Sequence, residues 1–352
     1  MVVVGADVHE RTHTFVADDE VGRKLGEKVV AATTAGHHQG LCWARAQFGS
    51  ELVWAVEDCR HLSARLERDL LTAGQQVVRV PPKLMALTRK SAQTRGKSDP
   101  IDALAVARAD LREPDLPIAS HDEVSRELKL LVDRREDSGG QRTSTINRLL
   151  WRVHELDPAH APRKASHDLA KHRDLLKAWL DTVPGLVAEL ARDELADITR
   201  LTITINALAK RIGERVRQVA PVLLAMPGCA ELTAAKLVGE TAGVNRFKSA
   251  AAFARHGGVA PIPVWSGNTA GRVRMTRSGN RQLNAALHRI AVTQIRLDGL
   301  GATYYRKRLT GGDSSTKALR CLKRRLARMV FHHLHTDHQK PTNAMPTGSG
   351  LT

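Results

Sequence analysis

The chain opens on a run of small and β-branched apolar residues, Val2-Val3-Val4-Gly5-Ala6, which Asp7 interrupts before Val8 resumes it. Such a run reads as a buried strand, and a carboxylate inside one must be neutralised, hydrogen-bonded or paired with a cation. The fold therefore has to bring Asp7 a partner. A second run, Leu52-Val53-Trp54-Ala55-Val56, ends on Glu57 in the same way. Asp99 and Asp102 stand three residues apart at the start of a helical pattern, which puts both on one helix face. Acids at strand ends and a helix start make the donor set of a divalent-metal site acting on phosphate. Two Mg²⁺ ions roughly 4 Å apart would clamp the attacking and leaving oxygens of a phosphodiester. Taken alone, Asp99 reads better as a helix N-cap with Pro100 at the first helical position, and Asp102 as a first-turn acid on the helix dipole. Asp7 has few ordinary readings of that kind. Alternation turns Asp58, beside Glu57, to the opposite face.

The pattern predicts strands over Val2 to Val8, Thr12 to Ala17, Lys28 to Thr33, Leu52 to Glu57 and Gln76 to Val80. Helices are expected near His38 to Phe48, His61 to Ala73 and Asp102 to Leu111. Early strands on short links, followed by strands separated by helices, fit a mixed sheet flanked by helices. Pro81-Pro82 ends the last strand. Four regions follow: an α/β domain over 1–115, a helical middle over 116–220, a mainly helical domain over 221–338 and a Gly/Ser/Thr-rich disordered tail over 339–352.

In the middle region Ile198, Ile205, Ile212 and Val219 recur every seven residues, with Leu201 and Leu208 three later. That is a coiled-coil seam, and its partner is expected in the Leu128 to Val153 helix, of this chain or of a second protomer. Gly139-Gly140 weakens that helix. Leu224 to Leu237, around Met226-Pro227-Gly228, reads as a helix-hairpin-helix whose second helix offers free amides to a phosphate.

Lys and Arg number 54 against 37 Asp and Glu, a formal charge of +17, which favours a nucleic-acid partner over any other polyanion. Part of that excess is the composition expected of a GC-rich genome. Aromatic residues make up only 3%, so base stacking is a poor route to recognition and contact with the phosphate backbone a better one. Cys42, Cys59, Cys229 and Cys321 lack metal-ligand spacing, and no apolar stretch could span a bilayer, so a cytoplasmic protein without membrane attachment is expected. Lys97 closes a basic segment just ahead of the aspartates. Ser266 precedes Gly267, and Arg272, Arg274, Arg277 and Arg281 follow closely enough to neutralise phosphate oxygens. A helix over Thr316 to His335 sets Leu319, Leu322, Leu326, Met329 and Val330 against a basic face of Lys317, Arg320, Lys323, Arg324 and Arg328. A solvated face is the ordinary alternative there.

From about Val2 to His335 the chain resembles the bacterial insertion-sequence transposases that join an N-terminal RuvC-like (RNase H-like) DEDD domain to a serine-bearing transposase domain. These are also called bridge-RNA-guided recombinases. The resemblance lies in Gly5-Ala6-Asp7-Val8, Ala55-Val56-Glu57, Lys97-Ser98-Asp99-Pro100-Ile101-Asp102-Ala103, Met226-Pro227-Gly228, Gly258-Val259-Ala260-Pro261 leading to Ser266-Gly267, and the stretch Arg274 to Arg281. It implies that Asp7, Glu57, Asp99 and Asp102 bind Mg²⁺ and that Ser266 forms a covalent phosphoserine link to DNA, with Ser278 as a second choice. It also implies a structured guide RNA, double-stranded DNA at element ends and target, and a homodimer assembling to a homotetramer. Two departures stand out: after Asp7 the chain reads Val8-His9-Glu10 where the family often has a Lys, and bulky Trp265 precedes the serine. Two other readings are open: a hydrolytic, metal-dependent, junction-resolving nuclease, and a non-catalytic nucleic-acid-binding protein.

Overall fold

The computed structural model describes residues 1–58, 62–91, 98–113, 116–120, 122–162, 168–271, 273–275 and 279–339. The first elements are β1 (Val2–Val8), β2 (Thr12–Asp18), β3 (Lys24–Ala31), α1 (Thr34–Phe48), β4 (Leu52–Glu57), α2 (Ala64–Thr72), β5 (Gln76–Val80), α3 (Pro82–Lys90) and α4 (Asp99–Arg112). They form one five-stranded sheet of order β3-β2-β1-β4-β5. The β1–β2 and β2–β3 pairs are antiparallel, whereas β1–β4 and β4–β5 are parallel. This is the mixed sheet with flanking helices that the sequence pattern predicts.

Strand alternation divides the buried residues between two faces. Val4, Ala6 and Val8 pack with Trp54 and Val56 against Leu41 and Ala44 of α1 and Leu66 and Leu70 of α2. Val3, Val53 and Ala55 pack against Val106, Ala107 and Ala109 of α4. Gly5 lies on this second face, and a Cβ there would stand 2.1 Å from the Ala103 carbonyl oxygen and 2.7 Å from the Ala107 nitrogen. The α4 backbone thus rests directly on β1.

α1 and α4 begin earlier than expected, at Thr34 and Asp99, and two further departures have a physical reason. β3 begins at Lys24, earlier than hydropathy suggests, because it is an exposed edge strand whose charged residues carry no apolar signal. Past Pro81 the chain does not merely leave the sheet: Pro82 sits at the start of α3, where its fixed φ and missing N–H suit a first turn.

Residues 1–123 and 240–339 make one compact unit and residues 124–239 another. The second unit holds α5 (Glu123–Leu156), α6 (Ala170–Leu180), α7 (Leu186–Val219), α8 (Pro221–Leu224) and most of α9 (Glu231–Thr241). α5 and α7 run antiparallel within the one chain. Arg215 Nε donates to Glu127 Oε2 at 2.9 Å, Arg142 Nε to Thr202 Oγ1 at 2.7 Å and Arg148 Nε to Glu194 Oε1 at 3.2 Å. Of the apolar seam on α7, Ile198, Leu201 and Ile212 are buried, but Ile205 and Leu208 only partly so. This antiparallel register sets Gly139-Gly140 opposite that looser stretch, where they offer no side chain to pack. α5 nevertheless continues through both glycines.

The remaining elements of the first unit are α10 (Ala250–His256), the hairpin β6 (Pro261–Pro263) and β7 (Val273–Met275), α11 (Arg281–Arg296), α12 (Leu300–Thr310) and α13 (Ser315–Gln339). Among the described residues no helix is long and apolar enough to cross a membrane.

Two predictions follow from this packing. Gly5→Ala should lower unfolding free energy by about 3 kcal/mol or more, because backbone rather than a flexible side chain blocks the new methyl; denaturant titration measures it. Asp18 is fully buried on β2, both carboxylate oxygens lack a hydrogen bond, and Arg108 Nε is 3.6 Å away. Burial raises its pKa from 3.8 to about 6 despite Arg108. The folded state therefore holds a proton that the unfolded chain has released, and stability falls as pH rises between about 4 and 6. Thermal melts of Asp18→Asn across that window should show the slope reduced, by at most about 3 kcal/mol over the range.

Candidate functional site

The acidic set converges. In the parallel β1–β4 register Ala6 lies beside Val56, which places Asp7 and Glu57 next to each other one residue further on, both on the α4 face. β1 and α4 run in opposite senses over the Gly5 contact, so the first turn of α4 lies at the end of β1 that carries Asp7. Asp99 and Asp102 are the acids of that turn. Ser98, not Asp99, is the N-cap, and its side chain makes no capping bond. Asp7 and Asp102 are buried, Glu57 half-buried and Asp99 exposed.

Electrostatics confirms the proximity. Burial raises the pKa of Asp7, and Asp102 and Asp99 raise it further, against the lowering influence of His9. Glu57 is raised by burial, then by Asp7 and Asp102. Like carboxylates held this close favour a cation among them.

Two nitrogen-bearing side chains reach the site from residues that sequence reasoning left without a role. Arg89, near the end of α3, donates Nη1 to Asp102 Oδ1 at 2.7 Å, and that bond raises the Arg89 pKa. His9, just past β1, places Nε2 3.1 Å from Asp7 Oδ2 and 3.4 Å from Asp99 Oδ1. The charge of Arg89 was visible in the sequence, but its use depends on α3 being a helix. His9 carried the one available signal, its two-residue spacing from Asp7, which puts both side chains on one side of an extended chain.

The donors fit a divalent ion: one atom each from Asp7, His9 and Asp99 all lie within 4.8 Å of one another. Asp102 and Glu57 border the same space through the interactions just given.

Ser266 lies elsewhere in the chain, on the segment between β6 and β7. It is exposed, and its N–H donates to Thr269 Oγ1 at 3.0 Å while its carbonyl accepts from the Thr269 hydroxyl at 3.0 Å. Arg274 on β7 and Arg281 at the start of α11 are exposed. Lys97, Arg272, Arg277 and Ser278 lie outside the described residues. On α13, Arg320 is exposed, Arg324 half-buried, and Lys317 Nζ pairs with Asp313 Oδ1 at 2.6 Å. Lys323 does not belong to the basic face: it is buried, and its Nζ donates to Asn284 Oδ1. Met329, expected on the apolar face, is 42% exposed.

That lysine belongs to a clamp at the base of the serine-bearing hairpin. Asn284 Nδ2 donates to the Gly257 carbonyl at 2.9 Å and the Gly258 carbonyl at 3.2 Å. Asn280 N–H donates to the His256 carbonyl at 2.6 Å and Asn280 Nδ2 to Glu240 Oε2 at 2.5 Å. Gly279 has φ +107°, and a Cβ there would stand 2.7 Å from the His256 oxygen. Both ends of the segment 259–279 are thus pinned together. Asn284→Ala, which leaves Lys323 buried without its partner, should cost about 3 kcal/mol and speed proteolytic cleavage between residues 259 and 279. Limited proteolysis with mass mapping reads the second effect directly.

Comparison with known proteins supplies relatives along nearly the whole chain. Residues 4–156 match a family model described as Transposase, of the DEDD IS110 type, and residues 220–306 match the model Transposase IS116/IS110/IS902 family. The insertion element IS116 44.8 kDa protein of Streptomyces clavuligerus is 28% identical, over 97% of this chain and 96% of its own. The IS900 42 kDa protein of Mycobacterium paratuberculosis is 26% identical, over 96% and 92%. The IS110 43.6 kDa protein of Streptomyces coelicolor is also 26% identical, over 99% and 98%. Among solved structures, T. thermophilus RuvC in complex with a Holliday junction substrate aligns with 34% of this chain and 99% of its own, at 17% identity and a TM-score of 0.27.

Proposed function

The chain belongs to the IS116/IS110/IS902 family of transposases, and on that premise we propose that it cuts and rejoins DNA strands through a serine-linked intermediate at a divalent-metal site. The observation that carries the reading is the convergence of Asp7, Glu57, Asp99 and Asp102 at one end of β1 and β4: Asp102 and Asp99 raise the cost of ionising Asp7, and Asp7 and Asp102 that of ionising Glu57. Asp7, Glu57, Asp99 and Asp102 would hold the ions, two Mg²⁺ in the simplest form. Ions there supply Lewis acidity at the phosphoryl oxygens and offset charge building up on the entering and leaving groups.

The residues of the chain do the rest. Asp7 and Glu57, fixed on a sheet, and Asp99 and Asp102, fixed on the helix that packs against it, need little rearrangement on binding. Ser266 Oγ forms a bond to phosphorus as one phosphodiester P–O bond breaks and a sugar hydroxyl departs. A second sugar hydroxyl then attacks the phosphoserine, restoring the serine and joining a new strand without ATP. Arg274 and Arg281 beside the hairpin, with Lys97, Arg272 and Arg277, would bind the scissile phosphate region, and Lys317, Arg320 and Arg324 of α13 the backbone further away. A formal charge of +17 with 3% aromatic residues suits backbone contact, leaving sequence choice to a structured guide RNA. An RNase H-like domain over 1–115, a helical region over 116–220 and a serine-bearing domain over 221–338 would work as a homodimer pairing into a tetramer.

Protein incubated with element-end DNA and Mg²⁺, then denatured, should carry a covalent DNA adduct that Ser266→Ala abolishes. Asp102→Asn should lower cleavage by more than about a hundredfold. Metal-dependent cleavage that proceeds in Ser266→Ala with no adduct would instead assign a hydrolytic nuclease. Neither adduct nor metal-dependent cleavage in the wild-type protein, with DNA binding equal in wild type and both variants, would leave a nucleic-acid-binding role only.

A further inference from the structure

We infer that His9 is a direct nitrogen ligand of the metal site, so that the site takes Mn²⁺ in preference to Mg²⁺. This rests on the metal-dependent reading above and adds a donor outside the four acids. His9 follows β1 by one residue, and its ring reaches back over the strand end. Nε2 lies 3.1 Å from Asp7 Oδ2 and 3.4 Å from Asp99 Oδ1. An octahedral ion with bonds of about 2.1 Å separates neighbouring ligand atoms by about 3.0 Å, and a tetrahedral one by about 3.4 Å. Each His9 separation is therefore close to the edge of an ordinary coordination polyhedron, and the three donor atoms lie within 4.8 Å of one another. The side chain is half exposed, at 49%, so an ion and its waters have access to the ring nitrogen.

Without the ion, Nε2–H donates to Asp7 Oδ2 and lies 3.4 Å from Asp99 Oδ1. On ligation the neutral ring carries its proton on Nδ1 and presents the Nε2 lone pair. Mn²⁺ is larger and softer than Mg²⁺ and gives up a water to an imidazole nitrogen more readily, whereas Mg²⁺ takes oxygen donors and keeps its waters, so one nitrogen among carboxylates shifts preference from Mg²⁺ toward Mn²⁺. Arg89, already bonded to Asp102, is a cation that cannot ligate; His9 is the neighbour that can.

The test uses the full-length protein with Mn²⁺ as probe. Pulsed electron paramagnetic resonance of the bound ion should show coupling to a ¹⁴N nucleus, lost in His9→Ala and in His9→Gln. Titration should show His9→Ala weakening Mn²⁺ binding by about tenfold or more while changing Mg²⁺ binding by less than about threefold. Circular dichroism melts check that both variants stay folded, as expected for a half-exposed side chain. Bound Mn²⁺ with no nitrogen coupling, or an unchanged Mn²⁺ to Mg²⁺ ratio in His9→Ala, overturns the assignment of His9 and leaves the acidic site standing. Binding of neither ion by the wild-type protein overturns both.

Discussion

The contact between Gly5 and the backbone of α4 sets the geometry on which everything else depends. A side chain at position 5 would lie inside the Ala103 carbonyl, so only glycine lets the helix lie directly on the strand. Because helix and strand run in opposite senses, this contact fixes where the first turn of α4 falls along β1. The parallel pairing of β1 with β4 then sets Glu57 beside Asp7. Three pieces distant in sequence thus reach one place through one helix–strand contact and one strand pair. Metal donors tolerate displacements of only about 0.2 Å, so a helix lifted from the sheet by a methyl group would lose more than packing energy.

That geometry carries an electrostatic cost. Asp7 and Glu57 are raised by burial and by each other's neighbours, and in the chain as it stands three features offset the repulsion. Arg89 bonds Asp102, His9 touches both Asp7 and Asp99, and the positive end of the α4 dipole faces the same point. The acids are therefore held together with their repulsion offset in part by half-exposed groups. Asp18 follows the other course, with Arg108 near but not hydrogen-bonded to it, and retains its proton to higher pH.

Much of this was legible in the sequence because buried strands advertise themselves. Val2–Val8, Leu52–Glu57 and Gln76–Val80 have the bounds that their apolar runs predict. An acid within such a run is conspicuous for the same reason, which is how Asp7 and Glu57 come forward. Exposed elements advertise nothing: the start of β3 is set by pairing with β2, and α3 by a proline whose position at a helix start looks, in sequence, like a strand stop. Lys323 escaped because its helical phase is that of a basic face, while the asparagine that draws it inward lies 39 residues away in sequence. His9 and Arg89 escaped because what they touch is decided by the sheet and by α3, not by their immediate neighbours.

The acids and the serine differ in how they are held, and the difference bears on mechanism. The acids sit on a sheet and a packed helix whose backbones cannot shift without breaking the core. Ser266 sits on a short exposed hairpin, fixed at its base by Asn280, Asn284 and Lys323 but bonded near its tip only to Thr269 among the described residues. Both bonds to Thr269 run through the Ser266 main chain, so they fix the backbone of the turn rather than the hydroxyl. Around it Val264, Trp265 and Val273 are 39%, 54% and 54% exposed, apolar surface that gains free energy when covered. The acids are thus held by the core of the sheet domain, and the serine by a surface turn whose base alone is clamped.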